Sequence, residues 1–193
     1  MTATIDRPER RNALSLATVQ ELLAWLTTPG EARPLVIGST GTTFSAGFDL
    51  QTPQDGAAFK ACMDELLPAL IAHSALTVAA LNGPAIGMGL MLAAGCDVRV
   101  AAATAWIEMP AAKLGYTIDA RYVAAVRDRM GEATARMLFV ASRRISAEQA
   151  LAWGALHAIA DDPVSVAEEW ARHTTRLDAD AITGHKRALH RWG

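Results

Sequence analysis

A glycine-punctuated turn at residues 81–89 is the stretch of this 193-residue chain best suited to chemistry. It is Leu-Asn-Gly-Pro-Ala-Ile-Gly-Met-Gly, and apolar runs on both sides predict a strand, a turn and a buried helix. The first N–H groups of a helix have no intrahelical partners, and the macrodipole favours negative charge there. Such a turn can hold a phosphate, or an oxygen atom that becomes negative during a reaction.

The residues of the turn disfavour phosphate binding. Gly83, Gly87 and Gly89 lack the spacing of a dinucleotide-binding fingerprint, and no acidic residue closes a strand at the expected distance. A P-loop needs Gly-Lys-Ser/Thr, and this turn contains no lysine. The structural alternative is that the glycines only allow a helix to pack tightly against a strand.

A second loop of small residues, Phe-Ser-Ala-Gly-Phe-Asp-Leu at 44–50, also follows a predicted strand. Two such loops at the ends of neighbouring strands could direct two backbone N–H groups at one point. This favours a site for a developing oxyanion over simple packing.

Composition limits the class of protein. Hydrophobic residues make up 51% of the chain and charged residues 20%, and the net charge of −2 comes without any block of like charges. These values predict one soluble domain and argue against a nucleic-acid partner. Cys62 and Cys96 lack metal spacing, the N-terminus lacks a secretory signal, and the apolar stretches are too short to span a membrane. We therefore expect a cytoplasmic protein with no metal site and no membrane partner.

Strand and helix patterns alternate along the chain, which predicts an α/β core with parallel strands. Ser15 is the expected N-cap of the first helix, and Ser146 with Gln149 is typical of a capping box. The predicted strands are 3–5, 35–39, 77–81, 97–101 and 105–109, and the predicted helices are 16–28, 57–72, 120–130, 132–140, 146–153 and 163–175.

Short motifs recur along the chain in a specific order: Asp6-Arg7-Pro8, Arg11-Asn12-Ala13-Leu14, the loop at 44–50, Asn82-Gly83, Gly87-x-Gly89, Cys96-Asp97, Pro110, Leu114-Gly115, Gly131, the segment 145–150 and Trp153-Gly154. In this order and spacing they resemble the motifs of the crotonase superfamily, the enoyl-CoA hydratase/isomerase family. The resemblance implies an α/β, crotonase-like ββα spiral with C-terminal helices. It implies one domain at 1–193, with a spiral core at 1–140 and a helical C-terminal part at 141–193 that is shorter than usual.

The family implies an acyl-CoA thioester as substrate, with coenzyme A as part of that substrate and no separate cofactor. Its oxyanion hole would consist of the backbone N–H groups of Phe48 and Met88. Met88 stands where glycine is usual, so its thioether would narrow the pocket. The implied substrate- and CoA-binding residues are Ala46, Gly47, Asp49, Leu50, Gly87, Gly89, Met91, Ala111 and Arg11.

Two of these CoA-binding positions allow alternatives. Asp49 is expected to order its own loop through backbone N–H groups while neighbouring backbone contacts CoA. Arg11, like Arg10, either meets CoA phosphates or is a solvated surface residue.

The proton-transfer residues depart from the family pattern. The two glutamates of hydratases correspond here to Met91 and Ala111, so hydration by the usual route is not supported. Asp119 stands where dienoyl-CoA isomerases and aryl-CoA dehalogenases place an active aspartate. Desolvation beside an acyl pocket would raise its basicity, whereas the alternative is a helix N-cap, and the two roles are compatible.

Two other carboxylates, Glu108 and Asp64, are candidates for the site. If 106–111 is extended, Glu108 faces away from Ala111 and is not expected in the pocket. Asp64, on the helix that walls the acyl pocket in this family, is expected in a surface or capping role.

The leading hypothesis is double-bond isomerisation of an enoyl-CoA in fatty acid metabolism, with Asp119 as acid/base. The alternatives are acyl-CoA hydrolysis, hydration by a non-standard route, and a non-catalytic CoA-binding protein. The family also implies a homotrimer or a dimer of trimers, which would bury the apolar surface of residues 146–175.

Overall fold

The computed structural model describes residues 1–30, 32–51 and 55–191, so the last two positions of the predicted C-terminal part lie outside the described residues. The strands are β1 (Thr2–Ile5), β2 (Leu35–Ser39), β3 (Thr77–Leu81), β4 (Ala85–Ile86), β5 (Val98–Ala101), β6 (Trp106–Glu108), β7 (Ile145–Ser146) and β8 (Ala158–Ile159). The helices are α1 (Leu16–Thr27), α2 (Gly56–Ala72), α3 (Met88–Gly95), α4 (Ala120–Met130), α5 (Glu132–Ala135), α6 (Ala147–Ala152), α7 (Pro163–Thr174) and α8 (Ala179–Arg191). Short 3₁₀ turns span Pro8–Arg10 and Pro110–Leu114, and a π-helical segment spans Arg136–Val140.

Two sheets organise the chain. A parallel sheet of five strands has the order β1-β2-β3-β5-β8, and a smaller sheet has the order β4-β6-β7. In the smaller sheet β4 pairs parallel to β6, and β6 pairs antiparallel to β7.

Successive turns of the chain repeat one ββα unit. The segment β3-β4-α3 places one strand in each sheet before its helix, and β5-β6-α4 does the same. The turn before them is similar, because β2 is followed by Ser45, which forms a parallel bridge to Ala85 of β4, and then by α2. This is the predicted α/β spiral.

Alternating residues of the five-stranded sheet face two cores. Leu35, Ile37 and Leu81 lie in the main core with α2 and α3, whereas Val36 and Val78 lie in a second core beneath α7. Both faces are therefore covered, which explains why β2 and β3 are continuous apolar runs instead of alternating patterns.

The segment after residue 140 differs from the prediction, which gave it helices at 146–153 and 163–175 and no strand. It contributes β7 to the small sheet and β8 to the edge of the large sheet, and α8 was not predicted. Two-residue strands are too short for a period-2 pattern, so β7 and β8 carry no strong sequence signal. The helix α8 is amphipathic, and this pattern was a signal that the sequence prediction missed. The caps at Ser15 and Ser146 are confirmed.

Two asparagines hold the loops that follow the strands. Buried Asn12 donates from Nδ2 to the carbonyls of Thr40 and Thr43, at 2.7 Å each. Asn82 donates to the carbonyl of Gly41 at 2.6 Å and accepts from the Ser39 hydroxyl at 2.6 Å. The loop between β2 and α2 is thus held to its neighbours by side-chain amides where it has no ladder bonds. None of the described helices is long and apolar enough to cross a membrane.

Gly83 provides a test of this loop packing. A Cβ added there would lie 2.0 Å from the Thr42 carbonyl oxygen, so we expect Gly83→Ala to lower the free energy of unfolding by about 3 kcal/mol. Gly184→Ala in α8 is the matched control, because an added Cβ there meets nothing within 4 Å. It should raise stability by about 0.5–1 kcal/mol through helix propensity. Equal urea midpoints for the two variants would contradict the packing argument.

Candidate active site

The two glycine-containing loops meet directly through their backbones. The N–H of Ser45 donates to the carbonyl of Pro84 at 3.1 Å, and the N–H of Ile86 donates to the carbonyl of Ser45 at 2.9 Å. These bonds form the parallel bridge between Ser45 and Ala85. The sequence prediction that both loops lie at the ends of neighbouring strands is borne out, because β2 and β3 are adjacent.

Glycines allow this close approach. A Cβ on Gly47, whose φ is +88°, would lie 2.7 Å from the Ile86 oxygen and 3.2 Å from the Met88 nitrogen. A Cβ on Gly89 would lie 2.6 Å from the Cβ of Ser45. Any side chain at either position would force the two loops apart.

The N–H of Phe48 points away from Leu14, the residue to which both neighbours of Phe48 are hydrogen-bonded. The carbonyl of Gly47 accepts from the N–H of Leu14 at 2.7 Å, and the N–H of Asp49 donates to the carbonyl of Leu14 at 3.1 Å. In a trans peptide the N–H points opposite to the preceding carbonyl, so the Phe48 N–H points away from Leu14.

The N–H of Met88 points out of the N-terminus of α3. The carbonyl of Gly87 accepts from the N–H of Met91 at 3.1 Å, which is the first bond of the helix, so the Met88 N–H faces the opposite way. Gly87 has φ 54° and ψ −118°, a conformation open to glycine. Within the described residues, no acceptor is found for the N–H of Phe48 or of Met88.

Glu108 supports the second loop through its backbone. Its carbonyl accepts from the N–H of Gly87 at 2.9 Å. Its side chain is buried and paired with Lys113 and Arg144, and the Arg144 guanidinium lies 3.5 Å from the centroid of the Trp106 ring. Burial alone would raise the pKa of Glu108, but the hydrogen bonds and charges of the two cations hold it below its ordinary value.

The prediction for Glu108 assumed that 106–111 is extended, and this assumption is wrong. The extended segment ends at Glu108, and a 3₁₀ turn begins at Pro110. The supporting role of its carbonyl had no sequence signal, since a backbone contact is independent of side-chain type.

The predicted role of Asp49 in its own loop is confirmed. Asp49 is 4% exposed, accepts from the N–H of Gln51 at 3.1 Å and pairs with Arg7 at 2.9 Å. The side chain of the next residue, Leu50, is 73% exposed. The N–H of Ala46 donates to the carbonyl of Arg11, and Arg11 is itself exposed.

Asp119 caps α4, as one of the two sequence interpretations expected. Its carboxylate accepts from the N–H of Arg121 at 3.1 Å and pairs with the Arg121 guanidinium at 3.0 Å. The expected net rise in the pKa of Asp119 is not found, because the effect of Arg121 outweighs that of desolvation. The hydrogen bonds from Arg121 lower the pKa of Asp119 to about 2, and the side chain is 36% exposed.

Asp64 lies beside this cap and has more partners than a surface role predicts. It accepts from the Tyr122 hydroxyl at 2.7 Å and pairs with Lys60 at 2.7 Å. Burial would raise the pKa of Asp64, but these hydrogen bonds lower it. Asp64 therefore links α2 to α4, with Arg121 3.5 Å away. No cluster of metal-binding side chains is present in the described ranges.

Comparison with known proteins identifies the family. The model of the enoyl-CoA hydratase/isomerase family matches residues 1–191. The chain belongs to the enoyl-CoA hydratase/isomerase family. Among its relatives, a Mycobacterium tuberculosis protein named as a probable enoyl-CoA hydratase is 36% identical over 192 residues, covering 98% of this chain and 78% of the relative.

Solved structures of this family share the fold. A Magnetospirillum magneticum enoyl-CoA hydratase/carnithine racemase superimposes with a TM-score of 0.88 at 25% identity, over 99% of this chain and 76% of the other. A Thermobifida fusca protein in complex with CoA superimposes with a TM-score of 0.85 at 27% identity, over 100% of this chain and 82% of the other. A protein of the same organism in complex with acetoacetyl-CoA superimposes with a TM-score of 0.84 at 26% identity, over 100% of this chain and 84% of the other. The chain therefore has the crotonase fold of the enoyl-CoA hydratase/isomerase family.

The two positions that the family resemblance assigns to the hydratase glutamates are apolar in this chain. Met91 is fully buried within α3, and Ala111 is 9% exposed in the 3₁₀ turn. Neither side chain can accept or donate a proton, so water activation by a carboxylate pair at these positions has no basis in this chain.

The charge environment of Asp119 can be tested by titration. We expect its carboxyl carbon to titrate by NMR near pH 2, and Arg121→Met to move the midpoint upward towards the ordinary value of about 3.9. Because the folded pKa is lowered, the stabilisation from this group is complete above about pH 4 and is lost as the pH falls through about 2.

Asp162 is the internal control for this titration. It caps α7 and its pKa is lowered by hydrogen bonds from Ser165, without help from Arg121. Its midpoint should not change in Arg121→Met. A wild-type Asp119 midpoint near 3.9 would contradict the role assigned to Arg121.

Proposed function

We propose that this protein binds an enoyl-CoA thioester, stabilises its enolate and moves a double bond along the acyl chain. The observation that carries the proposal is the pair of N–H groups on Phe48 and Met88. They lie on two loops in backbone contact, and neither has an acceptor within the described residues. The acetoacetyl-CoA complex of the Thermobifida fusca neighbour supports the same class of ligand.

The two N–H groups act on the thioester carbonyl oxygen. When a proton leaves the carbon next to the carbonyl, negative charge moves onto that oxygen. Donors already in position stabilise this charge more than they stabilise the neutral ester, and a single donor of this kind contributes about 10²–10³ in rate. Met88 begins α3, so the helix dipole acts in the same direction.

Asp119 is the group proposed to move the proton. In a 3-enoyl thioester its carboxylate removes a proton from Cα, which gives a dienolate, and returns the proton to Cγ, which leaves the conjugated 2-enoyl ester. The pKa of about 2 makes the exposed carboxylate a weak base. An acyl chain that covers the side chain would exclude water from it and raise that pKa, because desolvation disfavours the charged form.

Met88 offers a test of the oxyanion hole through its backbone. Met88 is the first residue of α3, a position where proline fits a helix, so Met88→Pro removes one N–H while keeping the helix start. We expect turnover of an enoyl-CoA to fall about 10²–10³-fold in Met88→Pro. Met88→Ala is the matched control, because it changes the side chain and keeps the N–H, and it should stay near wild type. Equal turnover in the two variants would exclude the Met88 N–H from the reaction.

Asp119→Asn separates catalysis from capping. Asparagine is as good an N-cap as aspartate but cannot take a proton, so the fold should remain and isomerisation of 3-enoyl-CoA should fall about 10²–10⁴-fold. Conjugated product can be followed by its ultraviolet absorbance, and free thiol by a colorimetric reagent. Unchanged isomerisation would remove Asp119 from the mechanism. Thiol release by the wild type would instead indicate acyl-CoA hydrolysis.

A second candidate function is CoA binding without catalysis. The observation that favours it is the combination of apolar Met91 and Ala111 with an Asp119 carboxylate of low pKa. Calorimetry with acetyl-CoA and turnover of an enoyl-CoA panel distinguish the two candidates. Binding without conversion of any thioester, including hydration products, would select this second candidate, and absence of binding would exclude both.

The homotrimer and the cytoplasmic location implied by the family remain predictions. Leu151 and Trp153 are 39% and 38% exposed in the segment expected to lie in an oligomer interface, which supports the oligomer proposal.

A further inference from the structure

One nitrogen atom of Arg121 lies between two carboxylates. Its Nη2 atom is 3.0 Å from Oδ2 of Asp119 and 3.5 Å from Oδ2 of Asp64. Asp119 is the N-cap of α4, two residues before Arg121, whereas Asp64 lies on α2. Half of the Arg121 side chain is exposed, so the guanidinium can shift from one carboxylate to the other without displacing core residues.

Asp64 is held more firmly than Asp119. Its Oδ1 atom accepts from the hydroxyl of Tyr122 at 2.7 Å, and Tyr122 is 2% exposed in the main core. Its Oδ2 atom accepts from Lys60 at 2.7 Å. The Asp64 side chain is 20% exposed, against 36% for Asp119. Asp64 is therefore the fixed partner of the Arg121 guanidinium, and Asp119 is the partner nearer to solvent.

The same two cations act on both carboxylates. Hydrogen bonds and charge from Arg121, and the charge of Lys60, lower the pKa of Asp119. Burial raises the pKa of Asp64, but hydrogen bonds from Lys60 and Tyr122 and the charges of Arg121 and Lys60 lower it further than burial raises it. The influence of Asp64 on Asp119 therefore passes through cations that they share, and Arg121 is the one that contacts both.

This sharing bears on the proposed proton transfer. In the isomerisation Asp119 takes a proton from Cα and becomes neutral before it returns the proton to Cγ. A close cation opposes the uptake, because it favours the charged carboxylate. Once Asp119 is neutral, its pairing with Arg121 is lost. A second, fixed carboxylate beside the same nitrogen keeps the guanidinium paired, so protonation of Asp119 costs less free energy.

We propose that Asp64 is a positioning residue for the reaction: it shares the Arg121 guanidinium with Asp119 and retains it when Asp119 takes up the proton. The inference rests on the proposed function, because it concerns the same proton carrier. Asp64 acts through Arg121 and is not a catalytic residue.

The pH profile of kcat for 3-enoyl-CoA isomerisation tests this role, because its lower limb reports the protonation of the base in the substrate complex. Asp64→Asn removes the charge and keeps an oxygen that can accept from the Tyr122 hydroxyl. Arg121 then pairs with Asp119 alone. We expect the lower limb to move down by about one pH unit and the plateau of kcat to fall about three- to tenfold, with little change in KM.

Glu132→Gln is the matched control for Asp64→Asn. It removes a carboxylate from another exposed arginine pair, in which Glu132 lies 2.6 Å from Arg136. Its pH profile should match that of the wild type. A similar shift in both variants would mean that any lost carboxylate moves the limb, and it would overturn the specific role of Asp64.

Arg121→Met tests the route of the effect. If Asp64 acts through Arg121, Asp64→Asn should move the lower limb less in the Arg121→Met background than in the wild type, since interacting residues are not additive. Equal shifts in the two backgrounds would overturn the action through Arg121.

NMR titration provides a readout that does not need turnover. The probe is butyryl-CoA, a saturated thioester that has no double bond to move. We expect the midpoint of the Asp119 carboxyl carbon to rise from about 2 when butyryl-CoA binds to the wild type, and to rise less in Asp64→Asn.

The outcomes distinguish this inference from the proposed function. Absence of butyryl-CoA binding, absence of isomerisation by the wild type, or full isomerisation by Asp119→Asn would overturn the proposed function and this inference with it. A wild-type profile and an unchanged Asp119 titration in Asp64→Asn would overturn the role of Asp64 and leave Asp119 as the proton carrier. A loss of kcat without a shift of the lower limb would make Asp64 a purely structural residue, which also overturns the inference.

Discussion

The backbone contact between the Ser45 loop and the Pro84–Met88 turn is the constraint on which the site depends. Ser45 bonds on both sides of Ala85, and this parallel bridge leaves no room for a Cβ at Gly47 or Gly89. Because the two strands β2 and β3 are adjacent, the loops leave the sheet side by side and can join in this way. The orientation of the Phe48 and Met88 N–H groups then follows from the planarity of the trans peptides that precede them.

The short helix α3 connects this contact to the interior. Its body is buried on all sides, which is unusual for a helix and requires the small and apolar residues that it contains. A buried helix cannot leave its terminal groups to water, so both ends need partners. At its C-terminal end Arg99 and Arg129 supply them. At its N-terminal end the Met88 N–H has no acceptor in the described chain, and this is the reason that a substrate oxygen is proposed to bind there.

The charged groups around the site are largely neutralised by one another. Glu108 is held by Lys113 and Arg144, and Asp119 is held by Arg121. In both cases the cations lower the pKa of the carboxyl group, which opposes the use of that group as a base in the free protein. The proposed stabilisation of an anion depends on backbone groups, which any sequence with the right glycines keeps. Proton transfer depends on side chains, and Met91 and Ala111 offer no carboxylate for it.

The sequence alone determined the alternation of strands and helices, the two glycine loops and the absence of carboxylates at 91 and 111. Buried strands, helix caps and close-packed glycines each leave a local pattern, so these features were predictable from residue types and their order. The arrangement of the strands and helices as a ββα spiral was implied by the resemblance to the family. The tertiary structure decided the rest. It set the pKa of Asp119 through Arg121, which is two residues away and whose rotamer no pattern specifies. It brought the Glu108 carbonyl to Gly87 and the Arg99 and Arg129 guanidinium groups to the end of α3. The two-residue strands β7 and β8 also form only where the sheets already present an open edge. The physical reason is common to all of these: contacts between distant segments, and above all contacts to backbone groups, depend on how the chain packs and leave no periodic trace along it.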